Sequence, residues 1–308
     1  MSIWADLRER ALALVLAPAL LFLGAGAPLD APTGSPPEPV TMPVALDVAG
    51  RVTAEVMVDG QGPFKFLIDT GANRSGISRG LADRLAMPLL PDEIVHTFTG
   101  PVASPITRIG LLRVGEVDGV RNALVPVLDG AVLAGADGIL GADSLRNRRL
   151  VMDMEAGSVR LEEASRRLLG RGWVALPARF QRGNLVIADG EIDGVKAHVI
   201  IDTGAQTSFV NMALVQALDR PTRRIAPLLG TRLVSAGRPM RIDNFLFVPK
   251  VDVGDLDVHN VAAYAADVHI FDIWGVTREP AIVIGMDVWG RVEGLAIDYQ
   301  RGKVYVRP

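Results

Sequence analysis

At 308 residues the chain has room for two compact domains or one large one, which excludes a short binding peptide or a lone metal finger. A hydrophobic content of 49%, 22% charged residues and a net charge of −3 describe a globular chain able to bury a sizeable core, without the basic sheath that nucleic acid requires. The absence of cysteine removes disulfides, thiolate nucleophiles, Cys-ligated zinc and iron–sulfur clusters together, so any chemistry uses oxygen or nitrogen groups.

Arg8 and Arg10 precede an apolar run, Ala11 to Ala27, interrupted by Pro18 and closing on Gly24, Ala25, Gly26 and Ala27. The run is shorter than the roughly 20 residues that span a bilayer comfortably, and its small-residue end is that of an export signal. Residues 1–27 are read as a signal peptide or, since Pro28 disfavours cleavage after Ala27, a membrane anchor; a buried N-terminal helix is the bland alternative. The expected location is extracytoplasmic, periplasmic or secreted, free or tethered to the membrane. Residues 28–43 carry six prolines and read as an extended linker.

Beyond the linker the chain repeats itself. Lys65 to Ser78 reads KFLIDTGANRSGIS and Ala197 to Val210 reads AHVIIDTGAQTSFV. Before each copy a turn separates alternating apolar segments (MVDGQGPFKFLI and GEIDGVKAHVII), which predicts a hairpin whose second strand runs into Asp-Thr-Gly-Ala. Three further ordered matches follow. Val114-Gly115-Glu116-Val117-Asp118 matches Val253-Gly254-Asp255-Leu256-Asp257, and Ile139-Leu140-Gly141-Ala142-Asp143 matches Val283-Ile284-Gly285-Met286-Asp287. Leu150 to Asp153 with Gly157 matches Leu295 to Asp298 with Gly302, as terminal hairpins. The duplication predicts two lobes, 44–166 and 167–308, mostly β, with helical periodicity confined to short stretches such as Arg79 to Ala86 and Ala213 to Leu218.

A strand that ends in Asp69 or Asp202 and turns at once on Gly71 or Gly204 presents its carboxylate at a loop tip, since glycine permits close backbone approach and positive φ. If the lobes pack about a pseudo-twofold axis, the carboxylates meet and share one proton, because two like charges about 3 Å apart cannot both ionise cheaply. Such a pair holds a base and an acid together, as direct hydrolysis of an amide requires. The hydroxyls of Thr70 and Thr203 can bond to the opposite lobe and stiffen the loops. The residues after each glycine, Ala72 and Ala205, have no hydroxyl to favour the ionised carboxylate, so the pair is expected to hold its proton to higher pH.

At these residues the chain resembles the aspartic proteases: ILGAD and VIGMD are similar to the family's hydrophobic-hydrophobic-Gly element, and the resemblance runs from about Val44 to the C-terminus. In its short lobes and paired Asp-Thr-Gly-Ala signatures it is similar to a retropepsin-like protease duplicated into one chain with pepsin-like two-lobe connectivity. The resemblance implies an all-β, two-lobe pseudo-twofold fold of duplicated β-barrel lobes with short helices. It implies Asp69 and Asp202 as catalytic dyad, Thr70, Gly71, Ala72, Thr203, Gly204 and Ala205 as the supporting loops, and an extended protein or peptide substrate between the lobes. It also implies a hairpin flap, with tips at Thr99-Gly100-Pro101 and Ser235-Ala236-Gly237-Arg238, and no metal or organic cofactor. None of Tyr264, Tyr299 and Tyr305 lies near those tips, a departure from pepsins. The expected unit is a monomer holding an internal pseudo-dimer, with no nucleic-acid partner; a dimer of chains is unnecessary given the duplication. The competing function is a non-catalytic peptide-binding or scaffolding module, against which both aspartates argue.

The remaining signals have structural readings. Asp143 and Asp287 read as helix N-caps, and Asp153 and Asp298 as turn residues. His96, His198, His259 and His269 show no metal-ligand spacing, and Arg146 to Arg149 reads as a solvated basic face. Gly135 to Gly141 lacks the Lys-Ser/Thr of a phosphate loop, and Asp252 to Asn260 lacks the glycine and distal Glu of a calcium loop. Asn73-Arg74-Ser75 matches a glycosylation sequon, but a glycan there would obstruct the cleft.

Overall fold

The computed structural model describes residues 40–43, 45–47, 50–163, 169–181, 185–218, 224–225, 232–233, 235, 238–242 and 244–308. The signal or anchor segment 1–27 and most of the linker lie outside the described residues. The first half contains β1 (Val40–Pro43), β2 (Ala45–Leu46), β3 (Val52–Val58), β4 (Gln61–Ile68), β5 (Gly76–Ser78), α1 (Arg79–Arg84) and β6 (Leu90–Thr97). It continues with β7 (Gly100–Val114), β8 (Val117–Leu128), β9 (Gly138–Leu140), α2 (Ala142–Leu145), β10 (Arg148–Asp153) and β11 (Ser158–Glu163). The second half contains β12 (Val174–Leu176), β13 (Ala178–Gln181), β14 (Leu185–Ile192), β15 (Val195–Ile201), β16 (Ser208–Val210), α3 (Met212–Ala217), β17 (Arg224–Ile225), β18 (Arg232–Leu233) and β19 (Met240–Arg241). It ends with β20 (Phe245–Val253), β21 (Leu256–Ala265), α4 (His269–Trp274), β22 (Ala281–Ile284), α5 (Met286–Trp289), β23 (Gly294–Asp298) and β24 (Lys303–Arg307).

The sequence-predicted hairpins are all present, as β3–β4, β7–β8, β10–β11, β14–β15, β20–β21 and β23–β24. Their turn glycines Gly115, Gly157, Gly254 and Gly302 have φ between 55° and 61°, the left-handed region an L side chain resists. In the first half the pairing order β3-β4-β9-β5-β8-β7 closes into a barrel when β7 pairs back onto β3, with β2 and β6 flanking. In the second half β14-β15-β22-β16-β21-β20 closes in the same way through β20 and β14, with β13 and β17 flanking. Closure lets strands such as β15 and β22 bury apolar runs, Val199 to Ile201 and Ala281 to Ile284, instead of alternating.

A third sheet, β1-β11-β10-β23-β24-β12, joins the halves, three strands from each. Its centre is the antiparallel β10–β23 seam, where Arg149 faces Asp298, Val151 faces Ala296 and Asp153 faces Gly294, a register that the pseudo-twofold maps onto itself. Two expectations change here. Val40–Pro43, read as the end of the linker, forms the edge strand β1 against β11; an edge needs no donor from proline on its outer side. Arg149, read as part of a solvated face, is buried and pairs with the fully buried Asp298 at 3.0 Å and with Glu162 at 3.3 Å, because β10 is interior to the sheet.

Removing one partner of a buried ion pair strands the other charge. Arg149→Met is therefore expected to lower stability by about 3 kcal/mol or more, read as a reduced urea midpoint at unchanged slope.

Candidate active site

In each lobe the Asp-Thr-Gly loop follows a barrel strand and is held from behind by the glycine-terminated strand. β4 runs parallel to β9 and β15 parallel to β22. Asp69 N–H donates to Leu140 O and Asp202 N–H to Ile284 O, each at 3.1 Å, while Ala142 N–H reaches Ala72 O and Met286 N–H reaches Ala205 O, each at 2.9 Å. Gly141 and Gly285 have no room for a side chain: a Cβ would fall 2.6 Å from the Arg74 carbonyl carbon and 2.8 Å from Ala205 O respectively. The two hydrophobic-hydrophobic-Gly elements thus pack behind the loops and lead into α2 and α5.

A second pair of clamps fixes the outgoing side of each loop. Ser75 Oγ accepts from Gly141 N–H at 3.1 Å and donates to Asp143 Oδ1 at 2.7 Å. Ser208 Oγ accepts from Gly285 N–H at 3.2 Å and donates to Asp287 Oδ1 at 2.8 Å. Asp143 and Asp287 are therefore not the expected N-caps. Gly141 and Gly285 occupy those positions, and the aspartates in the first helical turn reach back to the loop. Burial raises Asp287 above the ordinary carboxylate range against its hydrogen bonds from Ser208. Asp153 and Asp298 are turn residues, accepting from Ala156 N–H and Arg301 N–H at 2.9 Å each.

Across the lobe boundary the threonines are crossed. Thr70 Oγ1 donates to Ile201 O at 2.9 Å and accepts from Thr203 N–H at 3.0 Å; Thr203 Oγ1 donates to Ile68 O at 2.7 Å and accepts from Thr70 N–H at 3.2 Å. All four bonds are buried. They bring Asp69 and Asp202 together, close enough for the charge of one to act on the other. Each carboxylate is also oriented by its own loop: Asp69 Oδ1 accepts from Gly71 N–H at 3.0 Å and Ala72 N–H at 2.9 Å, and Asp202 Oδ1 from Gly204 N–H at 2.8 Å and Ala205 N–H at 3.2 Å.

The loop glycines are needed for space and not for positive φ, which neither adopts. A Cβ on Gly71 would lie 2.6 Å from Asp202 Oδ2, and one on Gly204 only 2.3 Å from Asp69 Cγ. Each glycine packs flat against the opposite carboxylate. Burial raises Asp69 above the usual carboxylate range, and burial with the neighbouring Asp69 charge pushes Asp202 up to about 7. Backbone donors and the Arg51 guanidinium oppose both shifts without cancelling them. Asp202 thus keeps, up to about pH 7, a proton that the unfolded chain releases near pH 4.

Arg51 and Asp47 are functional candidates the sequence reading missed. Asp47 Oδ2 accepts from Arg51 Nε and Nη2, each at 2.8 Å, and Arg51 Nη1 donates to Gly204 O in the other lobe at 3.4 Å. Ser75 and Ser208 were also missed, though they stand at the same distance after each aspartate and the duplication displays them. Of the two flap candidates, Gly100 sits at the β6–β7 tip with φ 155°, its carbonyl accepting from Thr97 Oγ1 at 2.7 Å. That tip reaches the second lobe: the Phe98 and Phe209 rings are 4.7 Å apart, the Thr99 and Ser235 hydroxyls 2.7 Å, and His96 Nδ1 lies 2.9 Å from His269 Nε2. Ser235 falls between β18 and β19, an antiparallel pair; Gly237 lies outside the described residues.

Two barrels joined by a shared sheet, with an Asp-Thr-Gly loop from each meeting at a crossed threonine pair, define the two-lobed aspartyl protease class. Residues 54–147 match the family model described as gag-polyprotein putative aspartyl protease, and residues 188–288 match the one described as Aspartyl protease. The chain belongs to the retropepsin-like aspartyl protease family. No curated protein matches it. The two family domains support a peptide-bond hydrolase as the class of activity.

Thr70→Val removes a buried donor and acceptor while keeping shape, leaving Ile201 O and Thr203 N–H without this partner. A loss of roughly 2 kcal/mol is expected in urea unfolding, since each stranded buried group costs about 1–3 kcal/mol. Stability should also carry the signature of the raised carboxylate. With its folded pKa above the unfolded value, Asp202 contributes stability that is complete below about pH 4 and lost as pH rises through about 7. Asp202→Asn should flatten that decline, so that its melting temperature exceeds wild type by several degrees at pH 8; a parallel decline in both proteins would remove the raised carboxylate as its cause.

Proposed function

We propose that the protein is an aspartic endopeptidase that hydrolyses an extended polypeptide lying between the aspartate pair and the β6–β7 hairpin. The observation carrying this reading is the pairing of Asp69 and Asp202 in one site, each packed on the other lobe's glycine. The ionised carboxylate takes a proton from a water as the water oxygen bonds to the scissile carbonyl carbon. The protonated carboxylate gives its proton to the carbonyl oxygen, forming a neutral tetrahedral diol. When the C–N bond breaks, the first carboxyl protonates the leaving nitrogen and a diol hydroxyl returns a proton to the second, so the pair again holds one proton. The two carboxyls and the water thus supply every proton the reaction moves.

Gly71, Ala72, Gly204 and Ala205 orient the carboxylates through their N–H groups, and the threonine pair fixes the distance between them. The buried site supports activity reaching into mild acid and toward neutrality, because the second proton leaves only near pH 7. The fused duplication fits a monomer acting as an internal pseudo-dimer. We place its action outside the cytoplasmic membrane on the charge and hydropathy pattern of residues 1–27 alone.

Incubation of the purified protein with a proteome-derived peptide library tests the class and reads subsite preference together. Asp69→Asn and Asp202→Asn should each reduce kcat/KM by at least about a thousandfold with the fold retained, because either change removes one half of a unit that works only as a pair. A statine-type peptide mimicking the diol should inhibit wild type. Near wild-type cleavage by either mutant would end the dyad reading, and a folded protein that binds peptides without cleaving them would favour the scaffolding alternative.

A further inference from the structure

Resting on the protease reading of this pair, we infer that Arg51, held by Asp47, is a positioning residue that breaks the pseudo-twofold symmetry of the aspartates, keeping negative charge on Asp69 and the shared proton on Asp202. Thr53 pairs with Leu67 in the first barrel and Ile187 with Ile200 in the second, and Leu67 and Ile200 each stand two residues before the loop aspartate, so Thr53 and Ile187 are equivalent positions. On that equivalence Leu46, opposite Val52, corresponds to Phe180, opposite Val186, so Asp47 falls at Gln181 and Arg51 at Leu185, and the first lobe places a charged pair where the second has a neutral amide and an aliphatic side chain. Duplication alone would have put the same groups on both sides.

The geometry aims this difference at the pair. Asp47, almost wholly buried in its side chain, takes the Nε–Nη2 edge of Arg51 and also accepts from Arg51 N–H at 2.8 Å. This three-bond grip leaves Nη1 toward Gly204 O. Gly204 is the residue packed flat on Asp69, so the cationic end of the Asp47–Arg51 dipole points at the backbone covering that carboxylate. The same cation is the strongest of the influences lowering Asp69 and the weakest of those lowering Asp202. On the second-lobe side Phe180 packs edge-on against Tyr299, with ring centroids 5.5 Å apart. The Tyr299 hydroxyl is buried and has no hydrogen-bond partner among the described residues, and burial together with the charges of Asp69 and Asp202 keeps it neutral. Among the described residues, Arg51 is the positive charge that lowers both aspartates, Asp47 is the carboxylate that holds it, and Tyr299 stays neutral beside them.

In the chemistry of the pair, this arrangement makes Asp69 the group that takes the proton from water and Asp202 the one that donates to the carbonyl oxygen. The test reads the carboxyls directly and does not need activity. Carbon-13 carboxyl titration of Asp202→Asn should show the remaining Asp69 ionising about one pH unit or more below the remaining Asp202 in Asp69→Asn. Adding Arg51→Met to each should raise Asp69 more than Asp202 and close most of that gap, while Arg51→Lys should preserve it. If Arg51→Met leaves Asp47 stranded and the protein unfolded, Asp47→Leu with Arg51→Met removes both partners and serves in its place. In otherwise wild-type protein, Arg51→Met should move the acid limb of kcat/KM upward, lowering kcat/KM at pH 5 by roughly tenfold. An absent gap, or one unchanged by Arg51→Met in a folded protein, overturns the inference. A gap that closes as expected in a protein without peptidase activity would leave the Arg51 role standing and fail the protease reading instead.

Discussion

Two carboxylates brought face to face, Asp202 buried and Asp69 half-buried, repel each other and resist leaving water, and the rest of the molecule is arranged so that this juxtaposition survives. Four buried hydrogen bonds exchanged by Thr70 and Thr203 tie each loop to the strand that delivers the other. The six-stranded sheet beneath supplies the broad apolar contact from which those bonds draw their geometry, since bonds of this kind are modest in net free energy but costly to leave unmade. The electrostatic strain is relieved chemically: a proton taken up by the pair removes most of the repulsion, so proton sharing follows from the packing. Anything that loosens the seam should therefore appear both as lost stability and as a changed titration.

The loops themselves are held in layers. Gly71 and Gly204 allow the opposing carboxylates to approach, backbone N–H groups orient one oxygen of each, and the strands ending at Leu140 and Ile284 fix the loop from behind. Ser75 with Asp143, and Ser208 with Asp287, then lock the outgoing chain to the start of a four-residue helix. Each layer is made of short, directional, partly or wholly buried contacts, an arrangement that holds the carboxylates in place. The β6–β7 hairpin is the contrasting element: it meets the second lobe through a phenylalanine pair, two hydroxyls and a histidine pair at its far end, and Ile94 on its edge strand is largely exposed. Under the proposed peptidase reading, this lighter attachment suits it to move for an incoming peptide.

Much of this was legible in the residues because the fold is written twice. A motif seen once is ambiguous, whereas Asp-Thr-Gly-Ala followed by its own apolar-apolar-Gly in each half locates the loops, their supporting strands and the lobe division, and the glycine turns mark the hairpins. What was not legible depends on contacts distant in sequence. Neither the closure of β7 onto β3 nor the pairing of β10 with β23 can be read from periodicity, and without the second the run from Arg146 to Arg149 looks like a solvated patch while Arg149 is in fact interior. Asp143 and Asp287 looked like caps because a following helix was visible and the returning serine was not. Gly71 and Gly204 were read as conformationally special, whereas their constraint is the carboxylate pressed against them from the other lobe. Val40–Pro43 carried the composition of a linker, and only its place at a sheet edge makes it a strand.

A duplicated chain also escapes a restriction that binds a symmetric dimer. Two identical subunits related by a twofold axis present identical surroundings to both carboxylates, so in the free enzyme neither is favoured as base or acid, and substrate must decide. Once the copies are joined, each position can change on one side alone. Here the seam has changed: Arg149 faces Asp298, while the equivalent pairing sets Gly294 opposite Asp153, which is neutralised by Arg307 instead. The surroundings of the aspartates have changed in the same manner, with the Asp47–Arg51 pair in one lobe where Gln181 and Leu185 stand in the other. On the role proposed for Arg51, the shared proton would have a preferred seat before substrate arrives, and a peptide entering in its productive direction would meet a base and an acid already assigned. That removes one source of degeneracy from the ground state, the kind of preorganisation by which an environment, instead of a change of catalytic residue, sets the roles of two identical groups.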